Sequence, residues 1–255
     1  MKEWYQQTKE ELLEHFRVTE HGLTGEEAGK RLAESGENVL KEGKRKSTLQ
    51  VFFEQFCDLL VVILIIAALI SMVSGNVEST IVIIAVIVLN AILGTVQHAK
   101  AEKSLDSLKS LSSPSTKVMR DGHKIEVPSA QVVPGDILYL EAGDLVVADG
   151  RILENYSLQV NESSLTGEST NVDKSDGLIH DDCALADRAN MVYSSGLVTY
   201  GRAVVLVTAT GMDTEIGKIA ALMNATKEKK TPLQISLDQF GSRLAMAIMV
   251  ICGLV

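Results

Sequence analysis

The chain has 255 residues and a formal net charge of −9, and 46% of its residues are hydrophobic. The acidic balance argues against a nucleic-acid partner, which would favour a basic face. Three scattered cysteines form no Cys-x-x-Cys or Cys/His cluster, so neither a zinc site nor a disulfide framework is indicated. The length allows one or two domains with a hydrophobic core.

The N-terminal part predicts two short amphipathic helices. Thr8 with Glu11, and Thr24 with Glu27, each fit the capping box, in which a hydroxyl and a carboxylate satisfy the free amides at a helix start. A basic cluster follows the second helix, directly before an apolar run: Lys41, Lys44, Arg45 and Lys46.

Two apolar runs then predict a membrane-spanning helical hairpin. Leu59–Val73 is too short to span a bilayer unless the turns Val51–Asp58 continue its helix. Val77–Val96 is long enough by itself, at a rise of about 1.5 Å per residue. A short turn at Ser74-Gly75-Asn76 joins the two runs. A buried hairpin of a soluble protein is the alternative, disfavoured because both runs are long and strongly apolar.

Basic residues flank one shared end of this hairpin. Lys100, Lys103 and Lys109 follow the second run, the cluster at 41–46 precedes the first, and the turn between the runs has none. Positive charge marks that end as cytoplasmic. For Asn90 we favour a hydrogen bond between helices over a role in an ion pathway. The roles of two nearby carboxylates stay open: Glu54 and Asp58.

After an amphipathic stalk, the pattern changes from helical to strand-like at Thr116. Asp121-Gly122 predicts a tight hairpin turn. Asp149-Gly150 predicts another turn between short strands. Val192–Ser195 predicts a strand, and Thr214–Asn224 predicts a closing helix. The result is a compact β-rich domain.

The tetrapeptide Thr166-Gly167-Glu168-Ser169 lies within this domain and is its strongest functional signal. Gly167 allows the backbone to turn tightly and to approach another surface closely. Glu168 then projects as a hydrogen-bond or proton acceptor, and Thr166 and Ser169 are available to orient it. A polar surface turn explains the same residues by local preference alone.

A third apolar run begins near Leu244 and continues to Val255, preceded again by basic residues. Twelve residues cannot span a bilayer. We therefore expect this chain to be the N-terminal piece of a longer protein. The basic residues are Lys227, Lys229, Lys230 and Arg243.

Taken in order, these features resemble the N-terminal part of a P-type cation-transporting ATPase, most closely the calcium pumps. The resemblance covers nearly the whole chain. It is carried by Gly22-Leu23-Thr24, Gly36–Leu40, Phe53-Glu54-Gln55-Phe56, Asp58-Leu59-Leu60, Asn90-Ala91, Val133-Pro134-Gly135-Asp136, Ala148-Asp149-Gly150-Arg151, Leu165–Ser169, Thr210-Gly211 and Gly217-Lys218-Ile219.

The resemblance implies a membrane α-helical hairpin plus a cytoplasmic β-rich actuator domain, distorted and jelly-roll-like, with short N-terminal helices. It divides the chain into four parts: an N-terminal helical part of the actuator domain (1–47), a transmembrane hairpin and stalk (48–111), the β-rich actuator domain (112–232), and the start of a third transmembrane helix (233–255).

The resemblance also implies an activity. Glu168 positions and activates the water that hydrolyses an aspartyl phosphate formed on a domain outside this chain, while Gly167 permits close approach and Thr166 and Ser169 support the loop. ATP and Mg²⁺ bind domains absent from this chain. The partners are the lipid bilayer, the remaining phosphorylation, nucleotide-binding and transmembrane domains, and a transported cation. This chain alone is expected to be inactive.

Some residues depart from the family pattern, and several alternatives stay open. Calcium is the preferred ion, with manganese or sodium as alternatives; heavy-metal pumps are disfavoured because they carry Cys-x-x-Cys modules.

Two rival classes are a stand-alone membrane-anchored β-domain acting as a binding module, and a small channel or carrier built on the hairpin. The departures, which weaken the choice of calcium and bear on loop stiffness, are Cys57, Asn161, Thr170-Asn171 and Leu197.

Overall fold

The structure is a computed structural model that describes residues 2–40, 47–111, 114–225 and 231–254. The chain forms two compact units: Met1–Gly43 with Ser112–Thr226, and Lys44–Leu111 with Lys227–Val255. The basic residues predicted before the first and third apolar runs lie outside the described residues, except Arg243: Lys41, Lys44, Arg45, Lys46, Lys227, Lys229 and Lys230.

The described residues contain eight α-helices and seven strands, together with short 3₁₀ turns. The helices are α1 (Lys9–Phe16), α2 (Gly25–Ser35), α3 (Thr48–Glu54), α4 (Leu59–Val73), α5 (Val77–Leu111), α6 (Ser163–Thr166), α7 (Glu215–Ala225) and α8 (Pro232–Leu254). The strands are β1 (Ser115–Arg120), β2 (His123–Pro128), β3 (Ile137–Glu141), β4 (Asp149–Asn161), β5 (Asn171–Asp173), β6 (Met191–Val192) and β7 (Leu197–Ala209).

The two predicted N-terminal helices are α1 and α2, and their caps differ. At Thr8 both bonds of the capping box form: Glu11 N–H donates to the hydroxyl at 3.3 Å and Thr8 N–H donates to the Glu11 carboxylate at 2.9 Å. At Thr24 only the Glu27 N–H bond forms, at 3.2 Å. The Glu27 carboxylate instead accepts from Arg31 Nε at 3.2 Å, so the second predicted capping box is half present.

One antiparallel sheet organises this unit. Its strands follow the order β2-β1-β3-β7-β4-β5, with β6 paired to β4. The β1–β2 turn has φ of 52° at Asp121 and 74° at Gly122. Positive φ at both central residues belongs to the turn that matches strand twist. The predicted hairpin at Asp121-Gly122 is therefore confirmed.

Alternate residues of the central strands enter two separate cores. Ile137 and Leu206 join the cluster that receives α1 and α2, together with Leu12. Their chain neighbours, Leu138 on β3 and Val205 on β7, enter the larger cluster on the opposite face. A strand alternates its side chains between faces, so both faces of the sheet are covered by apolar contacts.

Two predicted details of the sheet are wrong. Asp149-Gly150 is no turn: both residues lie in β4, where Gly150 pairs with Val207. A Cβ at Gly150 would lie 2.3 Å from Val205 Cγ1 and 2.8 Å from Leu206 O, so glycine is needed for close strand approach rather than for turning. The strand predicted over Val192–Ser195 is shorter than expected, because β6 ends at Val192.

The other unit contains the apolar helices. A short 3₁₀ turn follows α3, and Asp58 is extended with ψ of 135°, so the turns before Leu59 do not continue α4 as predicted. The two segments meet at 65°. Among the described residues, one helix, Val77–Leu105, is long and apolar enough to cross a membrane; the number rises to two if the bent pair counts as one span. Only 17% of its apolar window is buried, which disfavours a soluble core helix.

The rest of this unit agrees with the predicted hairpin more closely. A tight turn at Gly75, where φ is 80°, joins α4 to α5, and the two helices pack together. The third apolar run forms the second half of α8, which begins at Pro232, well before Leu244.

Candidate functional site

The predicted tetrapeptide lies in a loop between β4 and β5. The two strands pair through Gln159–Asp173, Val160–Val172 and Asn161–Asn171. The pairing brings the two limbs of the loop together at its base. After Asn161 and Glu162, the four residues Ser163–Thr166 form the single helical turn α6, and the chain then reverses at Gly167.

Gly167 ends this helical turn in the left-handed conformation, with φ of 77° and ψ of −2°. Its N–H donates to Ser163 O at 3.0 Å. An added Cβ would have no heavy atom within 4 Å. The position needs glycine for its backbone conformation, and the space around it is open to an approaching surface.

Glu168 is exposed at the loop tip, and its carboxylate has no hydrogen-bond partner among the described residues. Its N–H donates to the Thr166 hydroxyl at 3.3 Å. That hydroxyl donates to Glu162 O at 3.1 Å. Thr166 therefore orients the backbone of Glu168 rather than its carboxylate.

The other predicted supporting residue, Ser169, contacts the loop through its backbone rather than through its hydroxyl. Ser169 O accepts from Asn161 Nδ2 at 3.3 Å. The four predicted residues thus lie together at one exposed tip, with a free carboxylate on a fixed backbone. Such a carboxylate can accept a proton or position a water molecule.

Asn161, which departs from the family pattern, links the limbs of the loop. Its Oδ1 accepts from Ser163 N–H at 3.2 Å and from the Ser163 hydroxyl at 2.6 Å. Its Nδ2 donates to Ser169 O and, at 3.4 Å, to Asn171 Oδ1. An aspartate here would accept but could not donate. The departure therefore gives this loop two donor contacts of its own.

A buried ion pair below the loop was not predicted. Lys174 Nζ lies 2.7 Å from Glu162 Oε1, and the two side chains are 0% and 1% exposed. The contact is an ion pair without hydrogen-bond alignment, since Lys174 Nζ and both carboxylate oxygens of Glu162 have no hydrogen-bond partner among the described residues. Burial raises the pKa of Glu162 and lowers the pKa of Lys174, and each partner's charge opposes the effect on the other.

A second buried carboxylate, Asp149, organises the start of α7. It accepts from Ser194 N–H and from Glu215 N–H, both at 2.8 Å, and it is 4% exposed. Burial raises the pKa of Asp149 to about 6, against the opposing effect of these two backbone donors. Asp149 therefore joins β4, the segment after β6, and α7 from inside the domain.

A groove of about 480 Å³ in the sheet unit includes no residue of the loop. Lys9 lies in it and is already paired with Glu20 at 2.9 Å and Glu154 at 3.6 Å. The open groove is thus a poorer functional candidate than the loop. Among the described residues, no group of three or more His, Cys, Asp or Glu side chains could hold a metal ion, so no step is assigned to a metal on this chain.

Comparison with known families gives two matches. A model described as the P-type ATPase actuator domain matches residues 110–224, and one described as the cation transporter/ATPase N-terminus matches residues 4–71. The chain belongs to the P-type cation-transporting ATPase family, and its β-rich domain is an actuator domain.

Several curated relatives of this chain are named as calcium-transporting ATPases. The calcium-transporting ATPase lmo0841 of Listeria monocytogenes is 44% identical over 253 residues, which are 99% of this chain and 29% of that protein. Calcium-transporting ATPase 1 of Lactococcus lactis is 43% identical, over 98% of this chain and 29% of the relative. An endoplasmic reticulum-type calcium-transporting ATPase 2 of Arabidopsis thaliana is 40% identical, over 99% of this chain and 26% of that protein. The chain spans less than a third of these relatives.

Proposed function

We propose that this chain supplies the actuator domain and first membrane helices of an ATP-driven calcium pump. In this pump the loop Thr166–Ser169 promotes hydrolysis of an aspartyl phosphate formed on a domain outside the chain. The observation that carries the proposal is the free, exposed carboxylate of Glu168 beside a left-handed Gly167 with open space around it.

This geometry suits a group that acts on another domain. A carboxylate meant for local structure would be paired or buried, as Asp149 is. The Glu168 carboxylate points from a tip whose backbone is held by Thr166 and Asn161. A fixed backbone limits the conformational freedom lost when the tip meets its target, which favours accurate positioning.

The proposed step is in-line attack of water on the phosphorus. The water oxygen forms a new P–O bond, and the bond between phosphorus and the aspartyl oxygen breaks. Glu168 accepts the proton of the water, the aspartate carboxylate is regenerated, and inorganic phosphate leaves. Gly167 allows the tip to approach the acyl phosphate because it has no side chain there. ATP and Mg²⁺ would be bound by other parts of the pump.

Calcium is proposed as the cation because the relatives from Listeria, Lactococcus and Arabidopsis are named as calcium transporters. The same Glu168 chemistry would serve a manganese or sodium pump, since the loop does not contact the transported ion. Calcium uptake by vesicles containing the complete pump, compared with manganese and sodium uptake, tests the choice directly.

We further assign residues 1–47 and 112–232 to the cytoplasmic actuator domain, 48–111 to the transmembrane hairpin and stalk, and 233–255 to the start of a third membrane helix. The hydrophobic Val77–Leu105 segment supports membrane insertion. Single cysteines at Asn76 and Gly122, in a background lacking the three native cysteines, test the orientation with a membrane-impermeant thiol reagent on intact cells. Labelling at Gly122 and not at Asn76 would contradict it.

The decisive experiment is Glu168→Gln in the complete pump. Glutamine keeps the size of the side chain but removes most of its basicity, so phosphorylation by ATP should persist while phosphoenzyme breakdown slows. General-base catalysis contributes about 10²–10⁴-fold, so the phosphorylated intermediate should accumulate. A chase of the trapped phosphoenzyme measures the decay rate.

Glu154→Gln is the matched control. Glu154 is a partly exposed glutamate of the same domain, outside the loop. Its variant should dephosphorylate at the wild-type rate. Wild-type decay in Glu168→Gln would contradict the proposed role of the loop.

A further inference from the structure

Two limbs leave the base of the loop, and one buried contact joins them. Glu162 directly precedes α6, and Lys174 directly follows β5, so the 11 residues from 163 to 173 lie between them in sequence. Lys174 Nζ and Glu162 Oε1 are 2.7 Å apart in a site closed to solvent. The charges therefore close the loop below its exposed tip.

Each partner is also fixed by its backbone. Glu162 O accepts from Leu165 N–H at 2.9 Å, Thr166 N–H at 3.0 Å and the Thr166 hydroxyl at 3.1 Å. Lys174 N–H donates to Leu158 O at 2.9 Å, and Lys174 O accepts from Asn155 Nδ2 at 2.6 Å. A displacement of Glu162 is thus transmitted to Thr166, whose hydroxyl accepts from Glu168 N–H.

We propose that the buried Glu162–Lys174 ion pair positions the Thr166–Ser169 loop, so that Glu162 and Lys174 are positioning residues for phosphoenzyme hydrolysis. The inference rests on the proposed function of Glu168. Its structural part, that the pair holds α6 in place, stands independently of that function.

Burial determines what the pair can contribute. Removing water from two charges opposes their attraction, so a buried pair is weak evidence for stability as such. Apolar residues of similar volume commonly fill such a site without loss of folding. They cannot replace the attraction between two opposite charges whose atoms lie 2.7 Å apart. The pair is therefore expected to affect loop position more than overall stability.

The structural arm uses this chain in detergent micelles. We compare Lys174→Met, which leaves the Glu162 carboxylate unpaired, with Glu162→Met/Lys174→Met, which removes both charges and so guards against failure to fold. Millisecond-resolved hydrogen exchange of the amides of residues 165–167 is measured relative to the β3–β7 ladder. In both variants, exchange of the loop amides should accelerate by a factor roughly ten times that of the ladder amides. The reason is that the loop can then open locally, without unfolding of the sheet.

A second, largely buried ion pair among the described residues of the sheet unit provides the control. Arg120 donates to Asp136 at 2.6 and 2.9 Å, and the side chains are 11% and 0% exposed. Arg120→Met also removes the charged partner of a buried carboxylate, which keeps its bond from Val133 N–H at 2.9 Å. This carboxylate lies beside β1 and β3 rather than beside the loop. Its loop exchange should rise no more than its ladder exchange. The proposal would be overturned if the acceleration of loop exchange relative to ladder exchange were equal in Lys174→Met, the double variant and Arg120→Met.

The kinetic arm uses the complete pump and tests the link to Glu168. Lys174→Met should slow phosphoenzyme decay by up to about 10²-fold, the loss expected for a displacement of about 1 Å, while phosphorylation by ATP persists. In Glu168→Gln the same Lys174 change should add little, because residues that act through one group are not additive.

A merely structural role predicts a different pattern. In the Glu168→Gln/Lys174→Met variant, the fold-losses in phosphoenzyme decay of the two single variants would then multiply. That result would overturn the positioning role even if loop exchange is fast. Failure of the proposed function has a separate signature: wild-type decay in Glu168→Gln, whatever the exchange data show.

Discussion

Two glycine–acid pairs in the actuator domain have opposite environments. Asp149-Gly150 lies inside β4, with a buried carboxylate that two backbone amides hold. Gly167-Glu168 lies at an exposed tip, with a carboxylate free of partners among the described residues. The sequence predicted a turn at both. The difference shows that a glycine beside an acid can serve close strand approach, as at Gly150, or a left-handed backbone, as at Gly167. The neighbouring strands decide whether the acid is buried and structural.

The largest expected effect concerns the buried acid. The folded-state pKa of Asp149, about 6, lies above its ordinary value of 3.8. Between these values the folded domain binds more protons than the unfolded chain, so stability falls as the pH rises from about 4 to 6. Two pH units correspond to about 3 kcal/mol. The stability advantage of wild type over Asp149→Asn should shrink by up to that amount across the window.

The slowest-exchanging amides of the β3–β7 ladder report the free energy of unfolding for this test. Both proteins are measured at each pH, because other carboxylates also contribute. For example, Lys117 lowers the pKa of Glu141, which opposes the effect of Asp149. Subtracting the variant removes such shared contributions. A difference that does not change between pH 4 and 7 would contradict the structural assignment of Asp149.

A smaller difference in the free energy of unfolding is expected between alanine variants of the two glycines. Gly150→Ala places a Cβ against Val205 and Leu206 O, at 2.3 and 2.8 Å, and over-packing should cost about 3 kcal/mol. Gly167→Ala meets no neighbour and carries only the strain of a left-handed alanine, about 1 kcal/mol. The same exchange measurement gives both values. Equal losses would show that the two environments are alike.

For phosphoenzyme decay, we expect the order of the two alanine variants to be reversed. In the complete pump, Gly167→Ala places a methyl group at the surface that we propose approaches the acyl phosphate. Gly150→Ala acts only through the amount of folded domain. Phosphoenzyme decay per folded molecule should therefore slow in Gly167→Ala and stay at the wild-type rate in Gly150→Ala.

The features that the sequence predicted well have local causes. The Thr8 capping box and the Asp121-Gly122 turn depend on residues within four positions of one another. The apolar run of α5 is recognisable by composition alone. The loop tetrapeptide could be singled out because a carboxylate follows glycine between two hydroxyls, a pattern that chance produces rarely.

The features that it missed depend on distant contacts. Glu162 and Lys174 look like solvent-exposed charges by hydropathy, and only the β4–β5 pairing buries them together. Asp149 meets α7 through Glu215, 66 positions later in the chain. The kinked start of α4 depends on the extended Asp58, which an apolar pattern does not reveal. Local patterns predicted the elements, and the contacts between them required the fold.

The smallest expected effect is the stability change in Glu168→Gln, and it sharpens the comparison most. The side chain is exposed and its carboxylate has no partner among the described residues, so folding gains no contact that glutamine would remove. The Thr166 contact is made by the Glu168 backbone and survives the change. Surface substitutions of this kind stay within about 0.5 kcal/mol. Thermal unfolding and ladder exchange should therefore match wild type in the same variant whose phosphoenzyme decays slowly. A loss above about 1 kcal/mol would instead give Glu168 a structural role like that of Asp149, and slow decay could then no longer be assigned to lost proton transfer alone.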